Sequence, residues 1–322
     1  MAESERSHRA NTVKGVSMNP EEEAMEILMM FGREGCTIAD SGGKDSSVLK
    51  RIAEKCREKY GLQYKIVHNH TGIDAPETVY FVRDEQKRAS AMGIDYTINY
   101  PKITFDRLCV KKGMLPTRIA RFCCEELKEN YGSRDEKLVT GVRKSESTNR
   151  KNNQGVVTIM KKGGIPEDVM NSPDFTQTPR GGVVLLNYDN DESVEMVYTC
   201  FRTNRVLVNP LIYWTDDDVW RYIRDEKIPM NPLYEKGFNR VGCIGCPMAD
   251  RRRRREFEMY PKYRERFIRI ADRIVENMKA KKGDAYNGAE TGLKYFKRWM
   301  EDPNIDGQFS FDENGNITED YT

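Results

Sequence analysis

Apolar positions in the first half of the chain alternate between short runs and helical repeats. Cys36-Thr37-Ile38-Ala39 is short and mostly apolar and reads as a buried strand. Ahead of it, Asn19 can cap a helix with Pro20 at its first position and Glu21, Glu22 and Glu23 in its first turn. Ala24, Ile27, Leu28 and Phe31 form that helix's apolar face. After the strand, Val48, Leu49, Ile52, Ala53 and Cys56 recur at helical spacing. Tyr64 to Asn69 reads as a second strand, about Glu77 to Met92 as a helix and Asp95 to Tyr100 as a third strand. Ile103 to Asn130 reads as helix broken near Gly113 and Pro116, and Lys137 to Val142 as another strand. Strand–helix–strand order predicts an α/β fold, a doubly wound and mostly parallel sheet with flanking helices. Ligands of such sheets lie at the carboxyl ends of strands.

Residues 151 to 205 change character. Gly163-Gly164, Pro166, Pro173, Pro179 and Gly181-Gly182 punctuate short β-like runs at Val156 to Met160 and Val183 to Asn187. The expected reading is an inserted hairpin or flap. From 206 the chain is regular again, with Thr215 capping a helix whose first turn holds Asp216, Asp217 and Asp218. Helices near Arg252–Met259, Lys262–Lys281 and Glu290–Met300 complete the pattern. The expected division is a flexible tail over 1–19, a nucleotide-binding α/β domain over 20–150 and the insert over 151–205. A Cys-x-x-Cys segment with C-terminal helices packing on the α/β domain follows over 206–302, then a loose tail over 303–322.

Composition adds only bounds. The 322 residues carry 53 Lys or Arg against 51 Asp or Glu, so net charge names no partner. No apolar run is long enough for a membrane helix, and residues 1–19 lack the apolar core of a secretory signal. A cytoplasmic protein is expected, and its eight cysteines are then thiols or ligands rather than disulfides.

The candidate chemistry begins at Asp40-Ser41-Gly42-Gly43-Lys44-Asp45-Ser46-Ser47, where the first strand turns into a helix. Two glycines allow a tight turn and close approach of a ligand. Ser41 and Ser46 add hydroxyls, Lys44 a positive charge, and the helix start free N–H groups, which together make an anion site. The spacing is not that of the P-loop. Cys123-Cys124 and Cys243-x-x-Cys246 are two thiolate pairs able to supply four ligands to zinc or a [4Fe–4S] cluster. Cys36, Cys56 and Cys109 read as packing residues, and Cys200 as packing or a free reactive thiol. Arg251 to Arg255 read as a solvated helix face or a nucleic-acid phosphate contact. The Asp216–Asp218 cluster reads as helix-start electrostatics.

Ser41-Gly42-Gly43-Lys44-Asp45-Ser46 resembles the pyrophosphate loop of the ATP pyrophosphatase (adenine nucleotide alpha hydrolase) superfamily, and three further pieces narrow the likeness. Thr71-Gly72 with Pro76-Glu77-Thr78 resembles an Asp-Thr-Gly…Pro-Glu-Thr stretch, with His70 where Asp is usual. Thr140-Gly141-Val142-Arg143 with Ser145-Glu146-Ser147 and Arg150 resembles a Gly-x-Arg…Glu-Ser…Arg loop. Asn209-Pro210-Leu211, Asn231-Pro232-Leu233-Tyr234 and Gly242-Cys243-Ile244-Gly245-Cys246-Pro247 complete the set. Over roughly 35–150 and 206–265 the chain resembles the phosphoadenosine phosphosulfate (PAPS) reductase-like family, iron–sulfur subgroup, including the DndC-type sulfur-transfer proteins.

The resemblance implies a nucleotide held by Ser41, Gly42, Gly43, Lys44, Asp45 and Ser46, with Thr71 and Gly72 lining adenine and ribose and Gly141, Arg143 and Arg150 at the phosphates. Lys44, Asp45 and Arg143 would be the catalytic set, acting on ATP with Mg²⁺. Cys123, Cys124, Cys243 and Cys246 would hold a [4Fe–4S] cluster, with zinc as the alternative. True reductases carry a further nucleophilic cysteine near the C-terminus and commonly an altered loop. Here no cysteine follows Cys246 and the loop is intact, which favours ATP over PAPS. The expected activity is cleavage of ATP to AMP and pyrophosphate to activate an acceptor, DNA or tRNA, for sulfur from a donor such as a cysteine desulfurase. The alternatives are a PAPS or adenylylsulfate reductase using Cys200 or a partner thiol, and a non-catalytic nucleotide- and DNA-binding regulator.

Overall fold

The computed structural model of the protein describes residues 19–129, 137–160, 164–249, 252–282, 291–301, 310–311 and 317–318. Residues 1–18 of the expected tail, most of 303–322 and Arg251 of the arginine run lie outside the described residues. The chain begins α1 (Pro20–Gly32), β1 (Cys36–Asp40), α2 (Lys44–Tyr60), β2 (Tyr64–Asn69), α3 (Pro76–Ala91), β3 (Tyr96–Asn99) and α4 (Phe105–Lys112). Helical turns Phe122–Cys124 and Glu125–Glu129 precede β4 (Leu138–Val139), β5 (Val157–Ile159), β6 (Phe175–Gln177) and β7 (Val183–Leu185). Then come α5 (Asp191–Thr203), β8 (Val206–Val208), α6 (Asp216–Asp225), α7 (Arg252–Met259), α8 (Pro261–Lys282) and α9 (Gly292–Met300). Ser310–Phe311 and Ile317–Thr318 form a small antiparallel pair. No described helix is long and apolar enough to cross a membrane.

The chain divides into two compact units, one of residues 1–68, 80–98 and 132–241 and one of residues 69–79, 99–131 and 242–322. The first holds the sheet, in the order β3-β2-β1-β4-β8-β5-β7-β6. β1 pairs in parallel with β2 and β4, and β4 with β8. Ile38 faces Ile66 on one side and Val139 on the other, and all three are buried, as strands covered on both faces require. α1 and α6 pack on α2, while α5 packs on β5 and β8. The α/β architecture is the expected one, a mostly parallel sheet with flanking helices.

The segment 151–205 takes a larger part than an inserted hairpin or flap. It supplies β5, β6 and β7, which extend the sheet from β8 with antiparallel pairing. Val157, Ile159, Val183 and Leu185 are buried in the same core as β1. Cys200, expected in irregular chain, lies in α5, fully buried, where burial pushes its thiol up to about 11. That removes it as an accessible reactive thiol.

The second unit is organised by aromatic rings. Phe257 of α7 packs edge-on against Phe267 of α8 and Phe296 of α9, and Phe267 stacks on Trp299 at 5.4 Å. The Trp299 indole N–H donates to the Pro116 carbonyl at 2.7 Å. Arg253, from the middle of the arginine run, is buried over the Trp299 ring and donates to the Trp299 and Met300 carbonyls. One of the five arginines is thus a packing residue.

Candidate nucleotide loop and cysteine site

In the first unit the pyrophosphate-type loop is built on one carboxylate. Asp40 ends β1 and is 4 % exposed. Its Oδ1 accepts from the Gly42 N–H at 2.7 Å and the Ser46 hydroxyl at 2.8 Å. Its Oδ2 accepts from Lys50 Nζ at 2.7 Å and the Tyr96 hydroxyl at 2.7 Å. All four acceptor sites of the carboxylate are used. Burial alone would raise its pKa, but the Lys50 ammonium, then His68 and the hydrogen bonds, hold it well below the usual carboxylate range. Lys50 is itself 1 % exposed and also pairs with Glu85 at 2.7 Å.

Gly42 takes φ +70°, the left-handed conformation that lets the chain turn from β1 into α2. α2 begins at Lys44 without a side-chain cap, and its first turn includes Asp45 and Ser46. The loop is backed by Asn231, whose amide donates to the Gly42 carbonyl at 3.1 Å. Tyr234 backs it too, its hydroxyl accepting from the Lys44 N–H at 2.8 Å.

Lys44, Asp45, Gly141 and Arg143 come together as expected. A Cβ on Gly141 would lie 2.9 Å from the Asp45 carbonyl carbon and 3.2 Å from the Ser46 nitrogen, so only glycine lets the 140s loop pass this close. Arg143, 1 % exposed, donates from Nε to Asp45 at 2.7 Å and from Nη2 to Asp216 at 2.5 Å. Its Nη1 donates to Ser145 Oγ at 2.8 Å and the Trp214 carbonyl at 3.2 Å. Lys44 Nζ lies 3.3 Å from Asp45 and 3.2 Å from Asp216. Burial works to raise the Asp216 pKa, but Arg143 and Lys44 leave it lowered. Arg150 pairs with Glu146, which accepts the Arg143 backbone N–H at 3.2 Å.

Asp216, Asp217 and Asp218 stand in the first turn behind Thr215, as the sequence reading has them. Asp218 closes a capping box with Thr215, and Asp216 in addition bridges the two loop cations. No sequence pattern marks Lys50 or Tyr96 as part of the loop, and the Asn231–Tyr234 motif carries no role until the structure sets it behind Gly42 and Lys44.

The second unit contains Thr71, Gly72 and all four paired cysteines. Thr71 donates its N–H to Asp74 at 2.7 Å, and the Cys243 thiol lies 3.5 Å from the Thr71 hydroxyl. Gly72 presents its carbonyl to Arg266 Nη1 at 2.6 Å. Asp74 and Cys243 form an antiparallel bridge, and the Ile244 N–H donates to the Ile73 carbonyl at 2.8 Å. The Gly245 N–H donates to Glu256 of α7 at 2.8 Å, which seats the Cys243–Cys246 turn on that helix.

Cys123 and Cys124 share a hydrogen bond, and Cys123 interacts electrostatically with Cys124, Cys243 and Cys246 alike. The two pairs therefore converge. That bond holds the Cys124 thiol low, with help from Arg121, which donates to its sulfur at 3.4 Å, and from Lys128. The Lys128 ammonium is in turn raised by Cys243 first and then by Asp74, Cys124 and Cys246. Among the described residues no three of these sulfurs lie within 4.8 Å of one another. Tetrahedral zinc with about 2.3 Å bonds would draw them to about 3.8 Å. A cubane binds each thiolate at a different iron. Four converging thiolates are a donor set that suits either a [4Fe–4S] cluster or zinc.

The profile of the phosphoadenosine phosphosulfate reductase domain matches residues 35–249. The chain belongs to this family. An uncharacterized protein of Methanocaldococcus jannaschii is 26 % identical over 271 residues, covering 82 % of this chain and 51 % of its own length. The chain thus spans about half the length of that relative. Among solved structures, the PAPS reductase of Candida auris is 15 % identical with a TM-score of 0.42, covering 71 % of this chain and 98 % of that one. The U34-tRNA thiolase NcsA of Methanococcus maripaludis, with its [4Fe-4S] cluster, is 14 % identical with a TM-score of 0.41, covering 87 % of this chain and 78 % of that one.

Two predictions follow from the loop geometry. Lys50→Met leaves the Asp40 and Glu85 carboxylates buried without their cation and is expected to cost about 3–5 kcal/mol in urea denaturation. In the unaltered protein the lowered Asp40 contributes stability that is present above the unfolded carboxylate value of about 3.9. It is lost as pH falls through the lower folded value, so the urea midpoint should drop only in acid. A midpoint indifferent to Lys50→Met would show that the network contributes nothing. Separately, Gly141→Ala must displace the Asp45–Ser46 peptide. It should weaken nucleotide binding at least about tenfold, a loss of about 1.4 kcal/mol, measured by calorimetry with a non-hydrolysable ATP analogue.

Proposed function

We propose that this family member cleaves ATP to AMP and pyrophosphate to activate an acceptor for sulfur transfer, as in DNA phosphorothioation or tRNA thiolation. The observation that carries the reading is the intact Ser41–Ser46 loop, which turns at Gly42 into the start of α2 with Lys44 in its first turn. Helix-start N–H groups and a lysine suit the β and γ phosphates. An acceptor oxygen attacks the α phosphorus, the bond to the bridging oxygen breaks, pyrophosphate leaves and the acceptor proton passes to solvent. Lys44 stabilises charge developing on the phosphates. Asp45, gripped by Arg143, orients Lys44 and can reach a Mg²⁺ ion carried by the nucleotide. In this reading Arg143 acts as a brace for Asp45 and Asp216, and Arg150 holds Glu146 behind it.

Cys123, Cys124, Cys243 and Cys246 would hold the [4Fe–4S] cluster, with Lys128 countering their charge. Such a cluster would supply a site to bind and deliver sulfur, the sulfur itself coming from a donor such as a cysteine desulfurase.

The test is a product assay on anaerobically purified protein. ATP with Mg²⁺ should give pyrophosphate, and Lys44→Ala should lower its release at least about a hundredfold; equal release by the variant would remove the lysine's role. Sulfite from PAPS with a thiol reductant, and no pyrophosphate from ATP, would instead identify a reductase served by a partner thiol. For the cysteines, Cys243→Ser should lose bound iron as measured by elemental analysis and the visible charge-transfer band. Stoichiometric iron retained in that variant would refute the ligand set.

A further inference from the structure

The second unit carries a feature that nucleotide chemistry does not need. Among the described residues of α7, α8 and α9, eleven Lys or Arg side chains are exposed, against three exposed acidic ones, Glu258, Glu265 and Glu276. This imbalance is local, because the whole chain carries a net charge of only +2. The charges are also ordered. Lys262, Arg269 and Arg273 of α8 fall within about 40° of one another around the helix axis, so they form one stripe. Lys294, Lys297 and Arg298 of α9 stand at i, i+3 and i+4 and share one face. α9 packs along α8, so both sets belong to the same packed pair. Of the exposed glutamates, Glu265 sits 3.9 Å from Arg269, a distance that neutralises little in water.

We propose that α7–α9 form a docking face for the sugar–phosphate backbone of a nucleic-acid duplex. Charge complementarity selects a polyanion. A duplex is favoured over a single strand because no aromatic side chain is exposed on the described residues of these helices. Single-strand sites combine basic grooves with aromatic platforms on which bases stack, whereas backbone contact to a duplex needs only the charges. The 22 residues of α8 span about 33 Å, about the length of one turn of B-form duplex. The first exposed arginine of the face, Arg254, stands eight residues beyond Cys246, whose loop is seated on α7 in the same unit. This inference rests on the reading that the acceptor is a nucleic acid, and it gives that acceptor a structure and a place to bind.

The test uses the full chain and an end-labelled duplex DNA of about 24 base pairs, followed by fluorescence anisotropy between about 50 and 200 mM salt without ATP. Binding should weaken steeply with salt. The combined variant Lys262→Gln, Arg269→Gln and Arg273→Gln should bind at least about tenfold more weakly and lose about 0.9 of the log–log salt slope for each phosphate contact removed. A second variant, Lys294→Gln, Lys297→Gln and Arg298→Gln, should behave alike and guards against a folding defect in the first. A control with Lys59→Gln, Lys65→Gln and Lys87→Gln in the other unit should bind as the unaltered protein does. No duplex binding at the lowest salt, equal binding by both face variants, or tighter binding of oligo-dT of the same length would each overturn the proposal. Pyrophosphate release from ATP with Mg²⁺ is measured in parallel on the same protein preparations. Its absence alongside face-dependent duplex binding would fault the ATP reading and leave this one standing.

Discussion

A single buried carboxylate carries the nucleotide loop. Removing Asp40 from water is costly unless each lone pair finds a donor, and the chain supplies four. Two come from the loop it shapes, Gly42 and Ser46, and two from the fold behind, Lys50 and Tyr96. The loop is therefore tied by the same group that ends β1, so its conformation is set by the sheet rather than by a ligand. Lys50 in turn needs Glu85, and Glu85 is held by Arg88, which also reaches Glu54. Each charge in this series is compensated by the next until the pairs reach solvent, which is how a fold keeps several ionised groups in its interior.

The same logic changes what Arg143 does. A guanidinium has five N–H donors in a fixed fork. Here they are directed to Asp45, Asp216, Ser145 and the Trp214 carbonyl, and the side chain is buried. Two cations and two carboxylates at the loop largely cancel. In the proposed ATP reading, the attraction for a polyphosphate would then rest on the remaining backbone N–H groups at the start of α2. Gly141 lies against the Asp45–Ser46 peptide there, with no room for a side chain.

The local parts of this arrangement were legible in the sequence. The loop string, the Asn19 and Thr215 caps and the alternation of strands with helices depend on neighbours a few residues apart, and each stands where the pattern puts it. What the sequence hid is non-local. Tyr96 meets Asp40 across 56 positions and Tyr234 meets Lys44 across 190, separations no periodicity encodes. Two of the three strands of 151–205 lie in the β-like runs of the sequence, but their pairing with β8 is non-local, and Phe175–Gln177 is too short for alternation to show. The helix that holds Cys200 is legible only in Val197, Cys200 and Phe201, which recur at helical spacing and are buried.

The cysteine set illustrates how a fold gathers thiolates that the sequence holds far apart. Cys123 and Cys124 are consecutive in a helical turn, so their side chains leave the backbone about 100° apart. Zinc pairs use two to four intervening residues so that both sulfurs curl toward one ion. Here the two consecutive sulfurs share a hydrogen bond, so the turn keeps them side by side. The turn continues as Glu125–Glu129 with the wider π geometry, which is frequent at functional sites. That turn carries Lys128, whose ammonium is felt by Cys124, Cys243 and Cys246. Four thiolates gathered in one place make a negative site, and Arg121 beside Cys124 and the Lys128 ammonium offset it. The converging thiolates and the two cations beside them thus answer one requirement, that of negative charge concentrated at one point of the fold.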